Sequence, residues 1–305
     1  MISRISVIIP TFRRNESLEG ALESVKNQTV SEENVEIFVV DGADGNAQHI
    51  AEDFGATYLS PTPDPGIAGC RQLGIDEADG KYIHFLDDDD TLTESAIESQ
   101  VEAAEETGAE VVYGAIQWPD GRILQPNPEV QEDVLPQALA FEMAPCIPST
   151  MLISAEALKR IPRMETLPSD DIAVNIELAQ FAEYKFVNEV VAKRQPGEAG
   201  VGGEKEIVEN RRKTITEYRD LYQEHPEAYR RATAATNLLA AQAEFRDHIW
   251  SLRAIWYGLC AAQNSPSIAT TGYAIAAFFG RPGRDMARQI YSKYILDETN
   301  EGKIW

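Results

Sequence analysis

The chain has 305 residues, 43% of them hydrophobic, and a formal net charge of −23. That length and apolar content suit a globular protein with one large core or two smaller ones. The charge excludes a nonspecific nucleic-acid binder, because no basic stripe is present to neutralise phosphates, and the lack of a run of about 18 apolar residues argues against a membrane-spanning helix.

Residues 5–9 form a nearly continuous apolar run ended by Pro10. They predict a strand that begins almost at once, leaving no room for a signal peptide. Residues 15–28 predict a helix, with Leu18, Ala21, Leu22 and Val25 on one face and Asn15 as its N-cap. A second strand over 35–40 closes at Asp41 and Gly42, a helix follows over 48–54, and 57–59 is a short strand. Residues 61–66 are a loop rich in Pro, Gly and Asp. A helix over 67–79 stops at Gly80, and a strand follows over 81–86. Next come a helix over 94–107 and a strand over 111–113. Residues 114–150 read as irregular, with prolines at 119, 126, 128, 136, 145 and 148. The pattern resumes with a strand over 151–154, a short helix over 155–161 and a helix over 170–182 opened by Ser169, Asp170 and Asp171. A strand over 186–192 and a Gly-rich loop over 197–203 follow.

Beyond about residue 205 the pattern is helical, broken at Pro226, Pro266 and Pro282. Leu238, Leu239, Ala243, Phe245, Ile249, Leu252 and Trp256 fall mostly at helical spacing and predict a core-packed stripe. The apolar segment 268–279 then meets Arg281, Arg284, Arg288 and Lys293, the one locally basic stretch. Two readings of it stand: a helical hairpin packed on the rest of the fold, residues 1–204, or an apolar helix beside basic residues lying on an anionic membrane surface.

Alternating strands and helices with short links predict an α/β fold with a mostly parallel sheet flanked by helices. Ligands of such sheets bind beyond the carboxyl ends of the strands. Asp41 and the four aspartates 87–90 both sit there. Clustered carboxylates repel unless solvated or shared with a cation, and hard oxygen ligands suit Mg²⁺ or Mn²⁺. The bland alternative is a solvated turn that caps the next helix. Cys70, Cys146 and Cys260 lie far apart and form no metal pattern or disulfide framework, which suits a reducing compartment. His49, His84, His225 and His248 have no ligand spacing and read as structural. Only 9 of the 27 basic residues are lysine, and acid is spread along the whole length. That spread fits adaptation to molar salt, where screening makes surface self-repulsion cheap.

Three segments together resemble family 2 glycosyltransferases, which have the GT-A fold. Val7-Ile-Ile-Pro-Thr-Phe-Arg-Arg14 is similar to that family's first strand and loop, and Leu22-Glu-Ser-Val-Lys-Asn-Gln-Thr29 to the helix after it. Gly66-Ile-Ala-Gly-Cys-Arg-Gln-Leu-Gly74, with the run from Ala78 to Asp90, resembles the approach to the DxD motif. The likeness covers roughly residues 5–195. It implies a catalytic domain over 1–204 and a helical extension over 205–305.

The resemblance implies transfer of a sugar from a nucleotide-diphosphate donor, a UDP-sugar foremost, to an acceptor hydroxyl. Pro10, Thr11 and Phe12 would line the nucleoside, and Asp41 would accept from the base N–H. Arg71 would sit beside the base or diphosphate. Asp87, Asp88 and Asp89 would be the DxD: Asp89 holding Mn²⁺ or Mg²⁺, Asp87 facing the ribose or sugar, and Asp88 on the donor as well. Asp171 would be the base of an inverting transfer, with Asp170 in place of the family's Glu. Read alone, Ser169-Asp170-Asp171 is equally a helix N-terminus. Arg194 would close over the diphosphate.

Arg13, Gly42, Gln72 and Thr91 depart from the family pattern at the nucleotide edge, so donor identity is left open. The acceptor would be a glycan or a lipid-linked glycan, as in N-glycosylation or surface polysaccharide assembly. The place of action would be the cytoplasm or the cytoplasmic face of the cell membrane, in a haloarchaeal or similar source. A noncatalytic sugar-nucleotide-binding scaffold on the same fold would be marked by loss of Asp89 or Asp171, and both are present. A nucleotidyltransferase would carry a Gly-rich basic loop after the first strand, and residues 10–14 are not one.

Overall fold

A computed structural model describes residues 3–43, 45–126, 133–169, 171–195 and 203–286. The chain divides into two compact units, Met1–Val134 with Met143–Glu198, and Leu135–Glu142 with Ala199–Trp305.

The first unit is built on a nine-stranded sheet in the order β3-β2-β1-β4-β8-β6-β9-β5, with β7 on β6. In chain order its elements are β1 (Ile5–Thr11), α1 (Asn15–Lys26), β2 (Val35–Asp41), α2 (Gln48–Asp53), β3 (Thr57–Leu59) and α3 (Gly66–Glu77). Then come β4 (Tyr82–Phe85), β5 (Asp90–Leu92), α4 (Ala96–Thr107), β6 (Val111–Gln117) and β7 (Ile123–Leu124). After α5 (Leu135–Ala140), which belongs to the second unit, follow β8 (Met151–Ser154), α6 (Ala155–Leu158), α7 (Ile172–Ala179) and β9 (Tyr184–Arg194).

The strands read in the sequence form because both faces of the sheet are covered. Along β1, Ile5, Val7 and Ile9 enter one core with Leu18 and Leu22 of α1 and Ile97 and Val101 of α4. Ile8 enters the opposite core with Phe38 and Val40 of β2 and Leu178 of α7. A nearly continuous apolar run, broken only by the buried Ser6, is what a strand buried on two sides requires. Each such side chain contributes roughly 1.5–3 kcal/mol on burial. The fit is close: a Cβ on Gly74 of α3 would lie 2.4 Å from Ile8 Cγ2.

The α/β class holds, and most of the paired residues lie in the parallel ladders β3–β2–β1–β4 and β6–β9. The expected parallel order is interrupted by β8, which runs antiparallel to both β4 and β6. The stretch expected to be irregular is also more ordered. β6 continues through Gly114 to Gln117 with a register shift against β9, because a Cβ on Gly114 would lie 2.4 Å from Val191 Cγ1 and only glycine lets the two strands meet. β5 has three residues and exists as a partner of β9, so its local sequence carries no strand signal. The Gly-rich loop lies mostly outside the described residues.

The second unit contains α5, α8 (Glu204–Glu217), α9 (Arg219–Glu224), α10 (Pro226–Asp247), α11 (Leu252–Asn264) and α12 (Ile268–Ala277). Pro226 opens α10 at its first turn, where a missing N–H costs nothing. Ser251 caps α11 by accepting from the Ala254 N–H, and Ser267 with Thr270 forms a capping box on α12. Phe245 packs in a core with the small residues Ala241, Ala254 and Ala277 and the larger Ile255 and Tyr273. The predicted stripe is corrected here. α10 ends at Asp247, and the break before α11 changes the helical phase, so Phe245 is buried while Ile249, Leu252 and Trp256 are 70%, 70% and 65% exposed. Among the described residues no helix is long and apolar enough to cross a membrane.

Candidate active site

The carboxyl ends of β1, β2 and β4 are brought side by side by parallel pairing, with Thr11 opposite Asp41 and Ile8 opposite Phe85. The chain leaves β4 through the buried Leu86 and enters the aspartate run. Each of the four aspartates then meets a basic side chain. Arg71, 2% exposed, donates to Asp87 Oδ1 at 2.5 Å. Arg14 donates to Asp88 Oδ1 at 3.2 Å and to Asp89 Oδ2 at 3.0 Å. Arg194 donates through Nε to Asp90 Oδ1 at 3.1 Å, a pair set by the β5–β9 register.

This network separates the acids into two groups. Asp87, Asp89 and Asp90 each place a carboxylate oxygen within 4.8 Å of the others. Asp88 turns away into the β1–α1 turn, where it also accepts from Thr11 Oγ1 at 2.8 Å. Burial pushes the Asp88 carboxyl up to about 6, against the pull of Thr11 and Arg14. Burial also raises Asp90, opposed by Arg194. The three converging oxygens are a hard, anionic donor set of the kind Mg²⁺ and Mn²⁺ take. Asp87 and Asp89 retain partial exposure, so the set is open on one side. The residues fit a divalent cation.

The expectations for single residues meet the structure unevenly. Asp89 does face the other acids, with Asp87 and Asp90 beside it. Asp88, expected on the donor, is buried and accepts from Thr11 and Arg14. Arg71 and Arg194 both reach the acids. Pro10 is buried in β1, whereas Phe12 is exposed and stacks near the Arg13 guanidinium at 5.2 Å. Arg13 holds a left-handed φ of 58°, a strained turn for a residue with a side chain.

Asp41 is 1% exposed and accepts from the Ala43 N–H at 2.8 Å, the Ala47 N–H at 3.4 Å and the Tyr58 hydroxyl at 3.0 Å. It holds the loop after β2. The solvent-facing acid at this edge is Asp64, whose Oδ1 would lie 2.7 Å from a Cβ on Gly42. The absent side chain at 42 is thus filled from another loop. Asp171 stands exposed at the N-cap of α7, with Oδ1 accepting from the Ile172 N–H at 2.6 Å. Asp170 lies outside the described residues.

Sequence reading missed Arg14, Asp64 and Asp90 as individual site residues. Arg14 and Asp90 lay inside quoted motifs, and the available signal was charge parity: four adjacent acids need basic partners nearby.

Comparisons with known proteins identify the family and the fold. A family model described as "Glycosyl transferase family 2" matches residues 6–161. A GalNAc(5)-diNAcBac-PP-undecaprenol beta-1,3-glucosyltransferase of Campylobacter jejuni is 31% identical over 127 residues, 39% of this chain and 40% of that protein. The match thus spans about two-fifths of that relative's length. S. aureus TarS 1-349 in complex with UDP-GlcNAc superposes with a TM-score of 0.58 at 13% identity, covering 94% of this chain and 92% of TarS 1-349. The mannosyltransferase PcManGT from Pyrobaculum calidifontis, in complex with GDP-Man and Mn2+, superposes with a TM-score of 0.57 at 17% identity, covering 96% and 88%. The fold is that of the GT-A glycosyltransferases.

Proposed function

The chain belongs to glycosyl transferase family 2, and we propose that it is an inverting, metal-dependent glycosyltransferase using a nucleotide-diphosphate sugar, foremost a UDP-sugar. The observation that carries this reading is the convergence of Asp87, Asp89 and Asp90 at the carboxyl edge of the sheet, each tied to an arginine. These three acids would hold Mn²⁺ or Mg²⁺, which neutralises charge on a leaving diphosphate. Arg71, Arg14 and Arg194 set the geometry of the acids and supply cations beside the phosphates. Thr11, fixed by Asp88, and exposed Phe12 line the nucleoside, with Asp64 beside Gly42 as a further acceptor at that edge.

Asp171 is the base. It takes the proton from the acceptor hydroxyl as that oxygen bonds to the anomeric carbon. The bond from carbon to the diphosphate oxygen breaks, and its electron pair leaves with the nucleoside diphosphate. The exposed position at the helix N-terminus leaves the carboxylate reachable, at the positive end of the helix dipole. The catalytic domain is residues 1–204, and the second domain, residues 205–305, contacts the cytoplasmic face of a membrane through the helices α8 to α12. The acceptor is a lipid-linked glycan, a reading supported by the undecaprenol-linked substrate in the name of the Campylobacter relative. The acidic, lysine-poor composition supports a haloarchaeal or similarly salt-adapted source.

The test is thermal melting in concentrated KCl with UDP, GDP and dTDP, each with and without Mn²⁺ or Mg²⁺. A nucleotide at about 100 times its Kd adds roughly 2.7 kcal/mol to stability. One nucleotide should give a metal-dependent rise that Asp89→Ala removes. Asp171→Ala should keep that rise and lose roughly 10²–10⁴-fold in transfer. Normal turnover by Asp171→Ala would exclude it as the base.

A further inference from the structure

The second unit carries a surface that its own fold does not explain. Of the fourteen exposed large hydrophobic residues among those described, nine fall between residues 249 and 286. Eight of them come from α11, α12 and the turns that flank them, and Met286 lies beyond. On α11, Ala254, Ile255, Gly258 and Ala261 face the core, while Leu252, Trp256 and Leu259 repeat at four and three residues on the opposite, exposed side. On α12, Ile275 is exposed and is followed by exposed Phe278 and Phe279. Apolar residues on the outward as well as the inward face of a helix call for an apolar medium on both sides.

Hydrogen bonds join the turn to the end of α12. Trp250 Nε1 donates to the Phe278 carbonyl at 3.2 Å, and the Arg281 N–H donates to the Ile249 carbonyl at 2.7 Å. Trp250 therefore has its one polar atom satisfied and its ring exposed, beside Phe278 and Phe279. Gly280, with a φ of 70°, allows this approach: a Cβ there would lie 2.5 Å from the Ile249 oxygen. The aromatic tip is built by specific contacts.

Charge is inverted here as well. From residue 246 to 288 the sequence has Arg246, Arg253, Arg281, Arg284 and Arg288 against only Asp247 and Asp285, in a chain of 50 acids. Arg253 stands exposed next to Leu252. Exposed Trp and Phe beside arginine, within an otherwise acidic chain, match the two layers of an anionic bilayer surface. Rings sit at the headgroup boundary and guanidinium groups among phosphates.

We propose that the exposed faces of α11 and α12, with the tip Ile249, Trp250, Phe278 and Phe279, insert into the headgroup boundary of an anionic lipid bilayer. The chain lies on that surface without crossing it. This gives the membrane contact of the proposed function its residues, and it rests on that contact. In molar salt the Debye length falls to about 3 Å, so apolar insertion holds the protein there and the arginines matter most at low salt.

The experiment is flotation of the full chain with vesicles of equal parts phosphatidylcholine and phosphatidylglycerol, or of phosphatidylcholine alone, at low and molar KCl. Light scattering and thermal melting run beside it. Wild type should float with the anionic vesicles at both salts. The double variants Leu252→Ser with Trp256→Ser, and Phe278→Ser with Phe279→Ser, should each lower the bound fraction about tenfold or more with melting nearly unchanged. Arg253→Ala should weaken binding at low salt and leave it unchanged at molar salt. Wild type that floats with neither vesicle overturns membrane contact altogether. Variants that float as well as wild type overturn this surface and leave membrane contact standing. A wild-type dimer that the serine variants convert to monomer assigns the face to a second copy. A large fall in melting temperature shows that the face is covered within the chain. Either of these last results also overturns the proposal.

Discussion

The two units place their costly groups in opposite ways. The first buries charge: Arg71, Asp88 and Asp90 are nearly inaccessible, and each is compensated by a partner within hydrogen-bonding distance. The second exposes hydrocarbon: Ile249, Leu252, Trp256 and Phe279 face outward while alanines line the core. Neither arrangement improves folding. A buried ion pair is often no better than an apolar pair, and an exposed apolar patch gains nothing in water. Both therefore locate function more sharply than the well-packed residues around them.

That contrast can be broken in order of expected effect. Phe245→Ala removes the one large fully buried ring of the small-residue core and should cost about 3–5 kcal/mol, read as a fall in melting temperature. A smaller loss would mean that the alanine-lined core collapses around the gap.

The next effect is a pH slope in the first unit. His84 is fully buried on β4, and burial pushes its pKa down to about 4 from 6.5. The unfolded chain then binds more protons than the folded one between pH 6.5 and 4. The stability is fully present above 6.5 and about 3 kcal/mol is lost as pH falls through that window. Asp88, raised to about 6 from 3.8, acts in the opposite sense, with stability falling as pH rises from about 4 to 6. The two slopes nearly cancel in wild type. His84→Met should uncover the Asp88 slope, and denaturant titrations at pH 4, 5 and 6 would measure it. A variant that keeps the wild-type pH profile would show that His84 is not held neutral.

Gly74→Ala tests the close helix–sheet approach. Overpacking against Ile8 costs about 1–3 kcal/mol, offset by the ~1 kcal/mol alanine gains over glycine in a helix. A net loss of about 0–2 kcal/mol is expected from the denaturation midpoint. The smallest effect belongs to the exposed face: Trp256→Ser should change folding stability within about 0.5 kcal/mol, as other surface substitutions do. If it cost as much as Phe245→Ala, the contrast between buried and exposed hydrocarbon would be lost.

The parallel half of the sheet was readable because its elements are local. β1, α1, β2 and α3 each carry their own periodicity, and the aspartates follow β4 directly in the chain. The other half is made by pairing at long range. β5 has no signal of its own, Gly114 reads as a strand end until Val191 is seen beside it, and α10 and α11 look like one stripe until the break at 248–251 shifts their faces. The site was legible in the same measure. Asp89, Arg71 and Arg194 fall among the converging groups, but that Asp88 turns to the β1–α1 turn and Asp90 to the cluster depends on Thr11, Arg14 and Arg194, which only the folded chain assembles.

The pairing of Asp90 with Arg194 has a consequence during synthesis. The two residues are 104 positions apart, and the short strand that carries Asp90 has no partner until β9 is made. A chain emerging from the ribosome can close β1, β2 and β4 early, since contacts close in sequence form fastest. The acid cluster gains its last counter-charge only once residue 194 has left the exit tunnel. Ligand-dependent protection from proteolysis in stalled nascent chains should therefore begin abruptly past that length, making the acid cluster a late clock for completion of the sheet.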